Sequence, residues 1–249
     1  MKIVFVHGWG TDSGIWNPIC KKLSHHEIYT VDLGFLNRPK LNNSVEKNSV
    51  QNKNKNYAKI HKIMQTFDTN HNLPVASPFL GIGHSLGVAW LLKHASSSLS
   101  GLISIAGFAK FSVPYTLPIL EKMKKGLDRN PTAQLKLFWR SANIRLDMTD
   151  DKEHGPPFVI GNILDLNKLK AGLDYLSEGD ESYYLENLTC PVRALASHDD
   201  EIVNESITRG QWTSEQLRWA NTGGHGLPTS QVGSCVEQIE SFVAELSEN

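Results

Sequence analysis

The sequence predicts one α/β domain, with a mostly parallel sheet of about six strands, helices on both faces and a helical cap inserted between two strands. Three observations predict it. Short apolar runs bounded by glycine or polar residues alternate with amphipathic stretches, the pattern of buried strands joined by crossover helices. The alternation is interrupted by one long stretch of helical spacing, from about residue 108 to residue 187. A chain of 249 residues, 40% of them hydrophobic, is also long enough for one sizeable core.

The strands are read in order as Ile3 to Val6, Ile28 to Val31, Phe79 to Ile82, Leu102 to Ile105, Val192 to Ala196 and Leu217 to Ala220. Between the first two, Asn17-Pro18 is read as capping and opening a helix with Ile19, Cys20 and Leu23. After the third, Val88, Ala89, Leu91 and Leu92 have helical spacing, and Val232, Cys235, Ile239, Phe242, Val243 and Leu246 form a closing amphipathic helix. Residues 1–107 and 188–249 thus make the core, and 108–187 the cap, which reads as helical throughout on the spacing of Leu117, Leu120, Met123 and Leu127, then Leu135, Phe138 and Trp139, then Leu166, Leu169, Leu173 and Leu176. Residues 37–56 hold seven asparagines, five Lys or Arg and one Glu with almost nothing apolar, and are expected to be a mobile surface loop.

A formal charge of −1 gives no reason to expect nucleic acid as a partner. Cys20, Cys190 and Cys235 are odd in number and have no C-x-x-C spacing, which argues against a disulfide framework or a zinc knuckle and for a reducing compartment. The continuous apolar run before His7, Ile3 to Val6, has only four residues, too few for a secretory leader, and no segment approaches the ~18 apolar residues of a membrane span. A cytoplasmic monomer with no metal and no organic cofactor is expected.

The chemistry is concentrated at strand ends. Gly83-His84-Ser85-Leu86-Gly87 lies between a strand and a helix, the setting in which G-x-S-x-G turns sharply and lifts a serine hydroxyl above the sheet edge. Against this stands the plainer reading of a glycine-rich turn with an incidental serine. Because a serine hydroxyl is a weak nucleophile without a base, the motif predicts an acid and then a histidine further along the chain. The strand Val192 to Ala196 runs into Asp199-Asp200-Glu201-Ile202-Val203, and Leu217 to Ala220 runs into Gly223-Gly224-His225-Gly226. Asp200 is the preferred acid, since Asp-x-Ile-Val places the carboxylate at the turn and the aliphatic pair in the core, with Asp199 as the alternative. His225 is the candidate base; His7, His84 and His198 read as framework. His7-Gly8-Trp9-Gly10 follows the first strand, and the backbone N–H groups of Trp9 and Leu86 are the candidate donors to an oxyanion.

Taken together, the tryptophan-bearing His7-to-Gly10 loop with Trp16, the Gly83-to-Gly87 elbow, Leu169-x-x-Gly172-Leu173-x-x-Leu176-x-x-x-Asp180, Asp200-x-Ile202-Val203 and Gly224-His225-Gly226 resemble the BioH-type esterases of the α/β-hydrolase superfamily. The resemblance covers most of the chain except residues 37–56. It implies an α/β-hydrolase fold and a serine carboxylesterase that cleaves pimeloyl-acyl-carrier-protein methyl ester in biotin synthesis. It also implies an acyl chain held between sheet edge and cap, and basic cap residues facing the acidic carrier protein. From Lys110 to Arg145 eight Lys and Arg stand against Glu121 and Asp128, a net of +6; for any single one of these side chains a solvated helix surface is the plainer reading. Arg129, Arg140 and Arg145 are the candidate docking residues, and Phe138 the candidate wall of the acyl pocket.

The sequence departs from that family in three places. The one or two strands that usually precede the first are missing, Asn204 stands where proline is usual, and Leu227-Pro228-Thr229-Ser230-Gln231 replaces the usual tract after the histidine. A thioesterase, C–C bond hydrolase or acyltransferase using the same three residues is the alternative within the fold, and a non-catalytic receptor or scaffold the alternative outside enzymes.

Overall fold

A computed structural model of the chain describes residues 1–37, 64–65, 78–144 and 163–248. In chain order the elements are β1 (Lys2–Val6), a 3-10 turn (Ser13–Trp16), α1 (Asn17–Lys22), β2 (Glu27–Asp32), β3 (Leu36–Asn37), β4 (Met64–Gln65), β5 (Phe79–His84), α2 (Leu86–Ala95) and β6 (Leu99–Ile105). There follow α3 (Leu117–Arg129), α4 (Pro131–Ser141), β7 (Ile163–Leu164), α5 (Leu166–Glu178), α6 (Ser182–Glu186), β8 (Val192–Ser197), α7 (Glu205–Arg209), β9 (Leu217–Ala220), α8 (Leu227–Ser230) and α9 (Val232–Glu248).

The main sheet runs β4-β2-β1-β5-β6-β8-β9, with every described pair parallel. Six of the seven strands are those read from sequence. The seventh, β4, is a two-residue edge strand. β1, β5, β6 and β8 lie inside the sheet and are apolar along nearly their whole length, as strands covered on both faces must be. The strand order reverses between β1 and β5, and at such a point the loops after adjacent strands diverge and leave a crevice at their carboxyl ends. Trp16, Phe5 and Phe79 are fully buried around these strands, and Cys235, Ile239 and Phe242 of α9 close the core from one side.

Two local readings are corrected. Asn17 does not cap α1: it is the first helical residue, and the cap interaction belongs to Asp12, whose carboxylate accepts from the N–H of Gly14 at 2.8 Å and starts the preceding 3-10 turn. The segment from 108 to 187 is also not helical throughout. Residues 108–116 run into α3 without regular structure, and β7 pairs antiparallel with β3 in a second, two-stranded sheet. Asp165 is the reason for the break. Its side chain accepts from Lys168 N at 3.0 Å, so α5 starts at Leu166 and the residues before it are extended.

Within the described part of this segment, α3 packs on α4 and on α5. Its two ends are stapled together, because Glu181 N donates to Ala109 O at 3.0 Å and Lys110 Nζ donates to Asp180 at 2.6 Å. The surface loop expected at 37–56 lies outside the described residues beyond Asn37. Among the described residues no helix is long and apolar enough to cross a membrane.

Candidate active site

The turn after β5 brings Ser85 to a backbone conformation that L-residues rarely adopt, φ 54° and ψ −125°. Its hydroxyl does not cap α2, so the strain is not repaid by a local hydrogen bond of the side chain. The flanking glycines allow the turn because each faces backbone. A Cβ on Gly83 would lie 2.6 Å from Val88 N, and one on Gly87 would lie 2.8 Å from His7 O. The elbow is therefore packed against the loop that follows β1, and a Cβ on Gly8 of that loop would lie 2.9 Å from Ser85 Cβ.

That loop is held in one orientation by its own side chains. Gly8 O accepts from His7 Nδ1 at 2.9 Å and from the Thr11 hydroxyl at 2.9 Å, while His7 Nε2 accepts from Leu33 N at 2.8 Å. The Leu33 N–H occupies the Nε2 lone pair, so the ring is the Nδ1–H tautomer and Asp32, 3.3 Å from Nε2, is a neighbour and not an acceptor. In a planar trans peptide the N–H points opposite the C=O. Fixing the Gly8 carbonyl therefore fixes the direction of the Trp9 N–H.

Asp200 and His225 meet in the interior. His225 Nδ1 and Asp200 Oδ2 are 3.0 Å apart with both side chains 1% exposed. The other carboxylate oxygen of Asp200 accepts from Ile202 N at 2.8 Å and Val203 N at 2.9 Å, which locks the acid in the turn after β8. Asp199 points elsewhere. It accepts from the Ser197 hydroxyl at 2.5 Å, from Gly224 N at 2.8 Å and from Gly223 N at 3.2 Å, and the Ser197 hydroxyl leads these bonds in holding its carboxyl below the usual range. It thus anchors the loop that carries His225, whose glycines take φ +139° and +61°. His225 Nε2 is buried and has no hydrogen-bond partner among the described residues.

Residues 3–231 match the model of the alpha/beta hydrolase family. The chain belongs to that family. Solved structures with the same fold include a thermophilic esterase from Thermogutta terrifontis, at TM-score 0.64 and 16% identity over 99% of this chain and 90% of that one. The esterase EaEST from Exiguobacterium antarcticum gives 0.65 and 13% over 98% and 92%, and a bromoperoxidase from Bacillus anthracis 0.65 and 14% over 98% and 91%. None of the curated proteins matches the chain in sequence.

In this alpha/beta hydrolase the remaining sequence-predicted residues divide into two groups. Trp9, Leu86 and Phe138 lie with the elbow and the loop after β1: Leu86 opens α2 directly after Ser85, and Phe138 of α4 meets the Trp9 ring edge-on at 4.9 Å. Arg129 and Arg140 are exposed on α3 and α4 and form no ion pair with another described residue, as do Lys122, Lys125 and Lys136, whereas Lys110 and Lys124 are bound to Asp180 and Asp174. Arg145 lies outside the described residues.

His84 has a role that the sequence did not separate from framework. Its Nε2 donates to the backbone carbonyl of His225 at 2.9 Å, and the two rings are 4.9 Å apart. Burial, and then the neighbouring His225, push its pKa down to about 3, so it stays neutral. Among the described residues the one group able to hold a metal ion is His25, His26 and Glu240, on the turn before β2 and on α9, at the opposite end of the sheet from Ser85.

Proposed function

We propose that this alpha/beta hydrolase is a serine carboxylesterase. One observation carries the reading: a buried Asp200–His225 pair, bonded at 3.0 Å, leaves its Nε2 without a partner among the described residues, while His225 O accepts from the ring of His84, the residue before the strained elbow serine, at 2.9 Å. In this mechanism His225 Nε2 takes the Ser85 proton as Oγ attacks the ester carbonyl, and Asp200 holds the ring as the Nδ1–H tautomer and stabilises the imidazolium. The N–H groups of Trp9 and Leu86 receive the oxyanion. The alcohol leaves with the proton from His225, and water activated by the same ring releases the acid.

The substrate we propose is pimeloyl-acyl-carrier-protein methyl ester, a step of biotin synthesis, in a cytoplasmic monomer. The family resemblance supports this choice, as do Phe138 beside the Trp9 loop and the exposed basic stripe of Lys122, Lys125, Arg129, Lys136 and Arg140, which suits an acidic carrier. A strain lacking its own pimeloyl ester esterase should grow without biotin when given this gene, and should not when given Ser85→Ala. Failure of a folded protein that still hydrolyses p-nitrophenyl butyrate rejects the substrate and keeps the esterase; then a thioesterase, C–C bond hydrolase or acyltransferase comes forward.

A further inference from the structure

Three hydrogen bonds cross from the segment between β6 and β8 to the loops that carry the candidate catalytic groups. Trp139 Nε1 donates to Gly10 O at 2.7 Å, and Trp9 Nε1 donates to Leu169 O of α5 at 2.8 Å, both in the interior. One helical turn beyond Trp139, Asn143 Nδ2 donates to Gly223 O at 3.1 Å. α4 therefore has one side on the loop after β1 and its end on the loop that holds His225. The fit is close at both contacts. A Cβ on Gly10 would lie 3.0 Å from Leu135 Cδ2, and one on Gly226 would lie 2.5 Å from Asn143 O. Gly10, Gly223 and Asn143 all have positive φ, at 65°, 139° and 53°, so two of the three bonds end on backbone bends of the loops.

We propose that α4 is a brace for the catalytic loops, with Trp139 and Asn143 as positioning residues that fix the oxyanion loop and the histidine loop relative to Ser85. The segment that carries α4 is then part of the catalytic frame. This rests on the serine-hydrolase reading above. The physical reason is that the Gly10 and Gly223 carbonyls, once bound from the cap, cannot rotate without losing a partner, and the neighbouring N–H groups move with them. Because an oxyanion exists only in the transition state and intermediate, slack in this frame lowers kcat and leaves substrate binding nearly unchanged.

The test uses two conservative changes. Trp139→Phe keeps an aromatic ring and removes the N–H; Asn143→Gly keeps the positive φ accessible and removes the amide. Each should lower kcat for p-nitrophenyl butyrate about tenfold with KM within about twofold, and slow the labelling of Ser85 by a fluorophosphonate in proportion. Thr132→Ala, exposed on the same helix, should change neither. If Trp139→Phe fails to fold, benzothienylalanine at position 139 keeps the bicyclic shape and deletes the N–H alone. Wild-type kcat in both folded variants, or a loss confined to KM, overturns the brace. A wild type that is not labelled at all overturns the hydrolase reading and the brace with it.

Discussion

Two adjacent aspartates end the turn after β8, and their carboxylates have different work. Asp200 faces His225 Nδ1, whereas Asp199 binds the backbone N–H groups of Gly223 and Gly224. Asp200→Asn presents the ring with an amide and selects the wrong tautomer, so kcat should fall by roughly 10^4-fold. Asp199→Asn keeps an acceptor for the glycine N–H groups and should cost less than about tenfold; steady-state kinetics of the two variants check this, and the opposite order would give the role to Asp199. From sequence Asp200 was preferred, on the Asp-x-Ile-Val pattern that returns the aliphatic pair to the core, and Asp199 stayed the alternative because the D-D pair alone does not say which side chain turns inward. His84 gives a pH prediction. Its folded pKa, near 3, lies below the 6.5 of an ordinary histidine, so the unfolded chain takes up the proton first as pH falls. The stability present above about pH 6.5 should decline between there and pH 3 by on the order of a few kcal/mol, and His84→Gln should flatten that decline in thermal midpoints measured across the range.

At the scale of elements, the long buried strands were legible because a strand covered on both faces is a continuous apolar run. β4, β3 and β7 were not, since two residues show no periodicity. β7 was hidden for a further reason: Ile163, Leu166, Leu169, Leu173 and Leu176 continue a helical apolar spacing through it, and only the capping carboxylate of Asp165 breaks the helix. Trp139 was read as one more apolar position on α4; its indole N–H, aimed at Gly10 O, has no signature in one sequence. The glycine at position 172 has a packing reason. A Cβ there would lie 2.6 Å from Trp9 Cδ1 and 2.8 Å from Phe35 Cε1, so α5 can approach the loop after β1 only with glycine at this position. Gly172→Ala should destabilise the fold by about 1–3 kcal/mol in denaturant unfolding, and should lower esterase activity because Trp9 is the side chain that must move.

At the scale of the molecule, the main sheet is parallel and its strand order reverses between β1 and β5; the turn with Ser85 follows β5, the candidate oxyanion loop follows β1, and the loops with the candidate acid and base follow β8 and β9. All four loops leave the carboxyl ends of their strands, which is why residues as far apart in sequence as His7 and His225 are assembled at one edge. That placement was readable from motif order alone. What the sequence left open is the substrate, because its choice depends on packing between the segment from 108 to 187 and the loop after β1. The proposed mechanism stands on Ser85 as a nucleophile served by His225. It is tested most directly by incubating the protein with a fluorophosphonate and locating the adduct by peptide mass spectrometry. One adduct is expected, on Ser85, absent from Ser85→Ala and formed far more slowly in His225→Ala. No adduct on the folded wild type, or an adduct on another residue, would contradict it.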